Sequence, residues 1–139
     1  MSDLPETANK EKLFAEGVRL FNQQSYFEAH EAWEEIWTES RDPARQFVQA
    51  LIHFAVGLHH LGRGNRTGAA RQLRKGLAKC EGFRPSWAGV ELDALADAVE
   101  DVLGERKRRK QVQVLWSEQR LSSEDGWLIL GDSPPPMRR

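Results

Sequence analysis

Apolar side chains recur at helical spacing along most of this chain, and short polar breaks divide them into segments. From about Thr7 to Gln23, Leu13, Phe14, Gly17, Val18 and Phe21 fall on one face, which predicts a first amphipathic helix. Ser25 followed by Glu28 has the form of a capping box, so a second helix is expected to start there, its first backbone donors satisfied by the hydroxyl and the carboxylate. A third helix is predicted from Asp42-Pro43, with Asp42 as cap, to about Gly62. It carries one apolar arc of Phe47, Leu51, Phe54, Leu58 and Leu61 and a second of Val48, Ile52 and Val56. A polar stripe of Gln46, Gln49, His53 and His60 lies between them, with Gly57 in line and expected to leave room for a close neighbour. Asn65 is the expected cap of a fourth helix bearing Ala69, Leu73, Leu77 and Cys80, with Gly68 and Ala69 at its closest approach to the third. Glu81 to Ala88 predicts a loop that returns Phe83 or Trp87 to the bundle, followed by a fifth helix with Leu92, Leu95, Val99, Val102 and Leu103 on one side. Helix is expected to resume through Val112, Leu115 and Trp116.

The fold class expected is all-α, a compact bundle of five to six helices built from two antiparallel hairpins and a closing C-terminal helix. Residues 1–121 form the expected single domain, and 122–139 an extended or disordered tail with Pro134 to Pro136 near its end. A length of 139 residues suits one domain, and 40% hydrophobic with 29% charged residues is the balance of a soluble globular protein. A net charge of -1 gives no general attraction to nucleic acid or to an anionic membrane. The single Cys80 excludes an intramolecular disulfide and a cysteine-based zinc site. With no secretory pattern at the start and no apolar run of ~18 residues, the expected location is the cytoplasm, away from membranes.

The densest chemistry lies in Ser25 to Trp37, S-Y-F-E-A-H-E-A-W-E-E-I-W. At ~100° per residue, Tyr26, Phe27, His30, Trp33, Glu34 and Trp37 share one aromatic face, with His30 and Glu34 one turn apart. If that face meets the third helix, His30, Glu34, His53 and His60 are candidate ligands for a divalent metal. The spacing matches neither H-E-x-x-H nor paired Glu-x-x-His motifs. The competing expectation is a mutually bonded polar network with Arg45, Gln49 or Tyr26 as further partners. Arg45 is expected in a capping or Glu34-pairing role, Trp33 and Trp37 in the core, and Cys80 as an inert core thiol.

Four segments, L-F-N-Q-Q-S-Y-F-E-A-H-E-A-W-E-E-I-W at 20–37, R-Q-F-V-Q-A-L-I-H at 45–53, H-x-x-R-G-N-R-T-G-A at 60–69 and G-V-E-L at 89–92, keep a distinctive order. Together they resemble the small all-helical bacterial and plastid family known as domain of unknown function family 309, over about residues 14–103. The resemblance implies a compact helical bundle, with Tyr26, His30, Glu31, Glu34, Arg45, Gln49 and Asn65 at the family's polar motif positions, and no established activity. The sequence departs from that pattern at Ala50 and His53.

The function expected is a non-catalytic scaffold or binding module whose pocket, lined by His30, Glu34, Arg45, Gln49 and His53 with Tyr26, Glu31 and Asn65 as further pocket candidates, receives a small ligand or a partner's side chain. The alternative is a metal-dependent hydrolase using His30, Glu34, His53 and His60, with Glu34 as general base and His30 as a second proton-transfer group tuned by burial. A weaker alternative is a nucleic-acid adaptor acting through the basic run at 106–110, against which stand its shortness and the near-neutral total charge. A homodimer through an exposed apolar face is compatible with the pattern.

Overall fold

A computed structural model describes residues 6–104 and 111–117. The basic run at 106–110, and the tail from Gly126 to Leu130 and Pro134 to Pro136, lie outside the described residues. Five helices account for most of the rest: α1 (Glu6–Asn22), α2 (Tyr26–Glu39), α3 (Ala44–Gly62), α4 (Arg66–Cys80) and α5 (Leu92–Leu103). Two short strands, β1 (Ser86–Trp87) and β2 (Val90–Glu91), pair antiparallel before α5. Among the described residues no helix is long and apolar enough to cross a membrane.

The core forms where the predicted apolar faces meet. Phe14, Phe21, Trp33, Phe47, Phe54, Leu51 and Leu73 are fully or almost fully buried in one continuous cluster that also takes in Leu92, Leu95 and Val99 of α5. Contacts between successive helices descend along one as they ascend along the other. Lys10 meets Glu39, Phe14 meets Trp33 and Phe21 meets Tyr26 between α1 and α2. Gln46 meets Lys79 and His53 meets Gln72 between α3 and α4.

Glycine sets how closely α3 and α4 approach. A Cβ on Gly57 would stand 2.7 Å from Leu73 Cδ2, and one on Gly76 2.6 Å from the Phe54 ring and 3.1 Å from the Ala50 carbonyl. Gly57 therefore does what its place in the stripe predicts. Gly68 does not: a Cβ there would meet the Asn65 side chain, so its smallness serves the helix cap, where Asn65 Oδ1 accepts from the Gly68 amide at 2.9 Å.

Three expectations about ends and loops are overturned. Ser25 precedes α2, but its side chain makes no capping bond, so the capping box does not form. Instead the Ser25 amide donates to Leu20 O at 2.8 Å, and the backbone alone closes the turn. Asp42 does not cap α3; Pro43 is the cap residue, and the Asp42 carboxylate accepts from Gln46 Nε2 at 3.3 Å. The stretch through Val112, Leu115 and Trp116 is not helical. Residues 111–117 run extended, with Val112 and Val114 buried and Gln113 and Leu115 exposed, and Trp116 bridges Val90. The loop expected at 81–88 is also more ordered than its composition suggests. It contains a 3-10 turn at Glu81–Phe83 and the first strand, and it brings both Phe83 and Trp87 onto Phe47.

Candidate functional site

The helix that carries the dense motif is rotated relative to expectation. Ala29, Ala32, Trp33 and Ile36 point into the core, which leaves Tyr26, His30 and Trp37 half-buried at its edge and Phe27, Glu31 and Glu34 exposed. Trp33 is wholly buried as expected, with its indole N–H donating to Phe14 O at 3.3 Å, and Gly17 is the position in α1 that leaves room for the ring. Trp37 is only partly enclosed.

The polar residues expected to converge are divided among separate pairs. His30 Nε2 lies 3.4 Å from Glu34 Oε1, an i,i+4 pair within α2. His53 Nδ1 donates to Gln72 Oε1 at 2.8 Å on the seam between α3 and α4. Asn65 Nδ2 donates to His60 Nδ1 at 3.4 Å at the α3–α4 turn. Gln49 lies half-buried on α3, while Glu31 is open to solvent. Among the described residues no three His, Cys, Asp or Glu side chains are grouped so as to hold a metal ion. The Glu34 side chain is 52% exposed, so the burial on which a tuned proton-transfer pair would depend is missing there.

Arg45 takes a capping role. Its guanidinium lies 3.7 Å from the centre of the Trp37 ring and donates through Nη1 to Trp37 O at 3.3 Å, in the last turn of α2. A cation there meets both the π face and the negative end of the helix dipole. Nothing of the kind links Arg45 to Glu34.

Burial holds the His53 imidazole below its ordinary value of 6.5, and the charges of Lys75 and Lys79 push it the same way, against the hydrogen bond to Gln72. Burial pushes the Cys80 thiol up to about 11, and its Sγ–H donates to Leu77 O. With so little thiolate at neutral pH, this is the inert core thiol expected.

What the polar stripe leaves out is an aromatic cluster at one end of the bundle. Phe27 is 48% exposed, and its ring centre lies 5.5 Å from that of His30 and 5.4 Å from that of His59. Beside it, between the start of α2 and the end of α3, opens a groove of about 710 Å³. Its lining includes Tyr26, Phe27 and Leu58 on the apolar side and Glu28, His59 and Arg63 on the polar side. Next to Phe27 but outside the groove lining, His30 Nδ1 is buried with no hydrogen-bond partner among the described residues, as is Trp37 Nε1 two turns further along the same face of α2. A buried polar atom left unpaired costs about 1–3 kcal/mol. Phe27 and His30 at i,i+3 signalled this cluster in the sequence; the approach of His59 from α3 depends on helix packing.

Comparison with known proteins gives a relative in Aquifex aeolicus (strain VF5), described as an uncharacterized protein, 25% identical over 97 residues. The match covers 69% of this chain and 29% of that relative, so the chain spans under a third of the relative's length. The G-V-E-L segment at 89–92 falls beyond the family match. Residues 14–72, from α1 into α4, match the model of the family described as domain of unknown function (DUF309), the family that the order of motifs resembles.

Proposed function

We infer that this protein is a non-catalytic helical binding module, and that the end of the bundle at Phe27, His30 and His59 receives a peptide segment of a partner protein. The observation that carries the reading is the half-exposed Phe27 ring, held between two imidazoles beside an open groove. A half-exposed aromatic ring beside a concave surface forgoes part of the roughly 1.5–3 kcal/mol that full burial gives, which a docking side chain recovers. The groove's mixed lining suits a partner side chain with an apolar body and a polar end, its body against Tyr26, Phe27 and Leu58 and its end near Glu28, His59 or Arg63. Of the residues expected to form a pocket, Tyr26 and His30 belong to this reading, while Glu31, Glu34, Arg45, Gln49, His53 and Asn65 lie outside it. A cytoplasmic location is part of the proposal, supported by the free, buried Cys80.

The test is a peptide array probed with the full chain and with Phe27→Ser and His59→Ala variants. Phe27 is exposed, so its variant is expected to melt with the parent. Peptides containing aromatic or long aliphatic residues should retain the parent chain and lose the variants by about tenfold or more. An array that retains parent and variants alike, or retains neither, overturns the reading.

A further inference from the structure

Charge is not spread evenly over this molecule. The sequence of α2 contains five glutamates, Glu28, Glu31, Glu34, Glu35 and Glu39, with no Lys or Arg, and α5 contains Asp93, Asp97, Glu100 and Asp101 with none either. The opposite holds for α4: Arg66, Arg71, Arg74, Lys75 and Lys79 stand in its 15 residues without one Asp or Glu. A net charge of -1 conceals this segregation.

An ordinary solvated helix face mixes the signs, as α1 does where Arg19 pairs with Glu16 and reaches Gln23. On α4, Arg71 lies at i,i+3 from Arg74 and at i,i+4 from Lys75. Such like-charge neighbours cost a helix a few tenths of a kcal/mol each, about 0.2–0.5. Arg66 in the first turn further opposes the helix dipole. Arg71, Arg74 and Lys75 are all exposed, and no carboxylate among the described residues lies within ion-pair distance of them. The charge of α4 also reaches inward, because Lys75 and Lys79 disfavour a charge on His53 across the seam. Between the cations the residues are small, Thr67, Ala70 and Ala78. A shallow depression of about 570 Å³ lies among Arg66, Thr67, Ala70, Arg71 and Arg74.

We propose that this exposed face of α4 binds the phosphate backbone of duplex nucleic acid, without reading its sequence. The composition of the face selects this occupant over others. Protein interfaces depend on buried aromatic or aliphatic anchors, and among the described residues the exposed large apolar ones, Phe27, Leu61 and Leu115, all lie off α4. Single strands are held on aromatic stacking platforms, and α4 has no aromatic residue. A smooth helix bearing three projecting cations and small side chains between them lies close along a phosphate ridge. The rise of about 6 Å from Arg71 to Lys75 is within the span that long side chains need to reach successive phosphates. This surface is separate from the groove at Phe27 and uses none of its residues.

The experiment is fluorescence anisotropy of a labelled 20-base-pair DNA duplex titrated with the full chain from about 50 to about 200 mM salt. Three phosphate contacts predict a log–log salt slope of about -2.7. The Arg71→Ala/Arg74→Ala variant, with an unchanged circular-dichroism melting curve, should bind about tenfold or more weakly at the lowest salt and with a slope nearer -1. Three results overturn the proposal: no binding by the parent chain at the lowest salt; undiminished binding by the α4 variant, including where an Arg106→Ala/Arg108→Ala/Arg109→Ala variant loses it; or displacement of the duplex by polyglutamate at equal charge concentration, which would make the partner an acidic protein.

Discussion

His53 is the residue whose environment makes the clearest claim about conditions. Its imidazole is half-buried against α4, donates to Gln72, and is held below 6.5 chiefly by burial. The unfolded chain therefore takes up that proton first as the pH falls. The stability tied to neutral His53 is fully present above pH 6.5 and is lost as the pH drops from there through the lower folded value. His53→Gln cannot titrate and can still bond Gln72, so its melting temperature should fall less between about pH 7.5 and about pH 5 than that of the parent. Parallel curves for the two proteins would mean that folding leaves the imidazole free to protonate. The sequence identified His53 as a polar group on a largely apolar helix. It did not identify Gln72 as its partner, because that bond crosses between helices and no spacing along one helix encodes it.

At the scale of elements, helix type and extent were legible because each helix repeats its apolar face over three turns or more. Ends were less so. Ser25 with Glu28 has the residues of a capping box but not the geometry, because Leu20 O takes the Ser25 amide and the backbone closes the turn alone. Val112, Leu115 and Trp116 match helical spacing, yet Gln111-Val112-Gln113-Val114 alternates with period two, and the alternation wins because the segment has strand partners at 89–91. The small residues that set the α3–α4 contact were partly legible, Gly57 from its place in the stripe and Gly76 not at all. Gly76→Ala tests that contact. Alanine adds about 1 kcal/mol of helix propensity, but its Cβ would press on the buried Phe54 ring and on the Ala50 carbonyl, a backbone atom that cannot rotate aside. Overpacking of this kind costs about 1–3 kcal/mol, so a net loss of about 1 kcal/mol is expected from the urea midpoint. Gly62→Ala, with nothing within 4 Å of its Cβ, should not lower the midpoint. Equal effects from the two would remove the close approach as the cause.

For the molecule as a whole, residues 111–117 tie the two ends of the described chain together. The Asn22 side chain stands in for a strand: its Nδ2 donates to Val114 O at 3.0 Å, and its Oδ1 accepts from the Val114 amide at 2.8 Å. On the other side, Glu91 donates to Leu115 O and Ser117 donates to Gly89 O. Trp116 packs edge-on against Phe14 with ring centres 5.2 Å apart, its indole N–H donating to Ala88 O at 3.1 Å. The segment thus covers the core on the side where α1 and the β1–β2 turn would otherwise meet water. Asn22→Ala removes both bonds to a backbone that is 2% exposed at Val114, leaving a donor and an acceptor unpaired at about 1–3 kcal/mol each. If the segment folds as one unit with the helices, the variant should lose about 2 kcal/mol or more in global stability, and in the parent chain the Val114 and Ser117 amides should exchange no faster than those of the core helices. If it is a separable appendage, those amides will exchange early while the helices melt unchanged. The shared burial of Val112, Val114 and Phe14 in one cluster argues for the first outcome, because freeing the segment would expose Val112, Val114 and the edge of Phe14 that Trp116 covers.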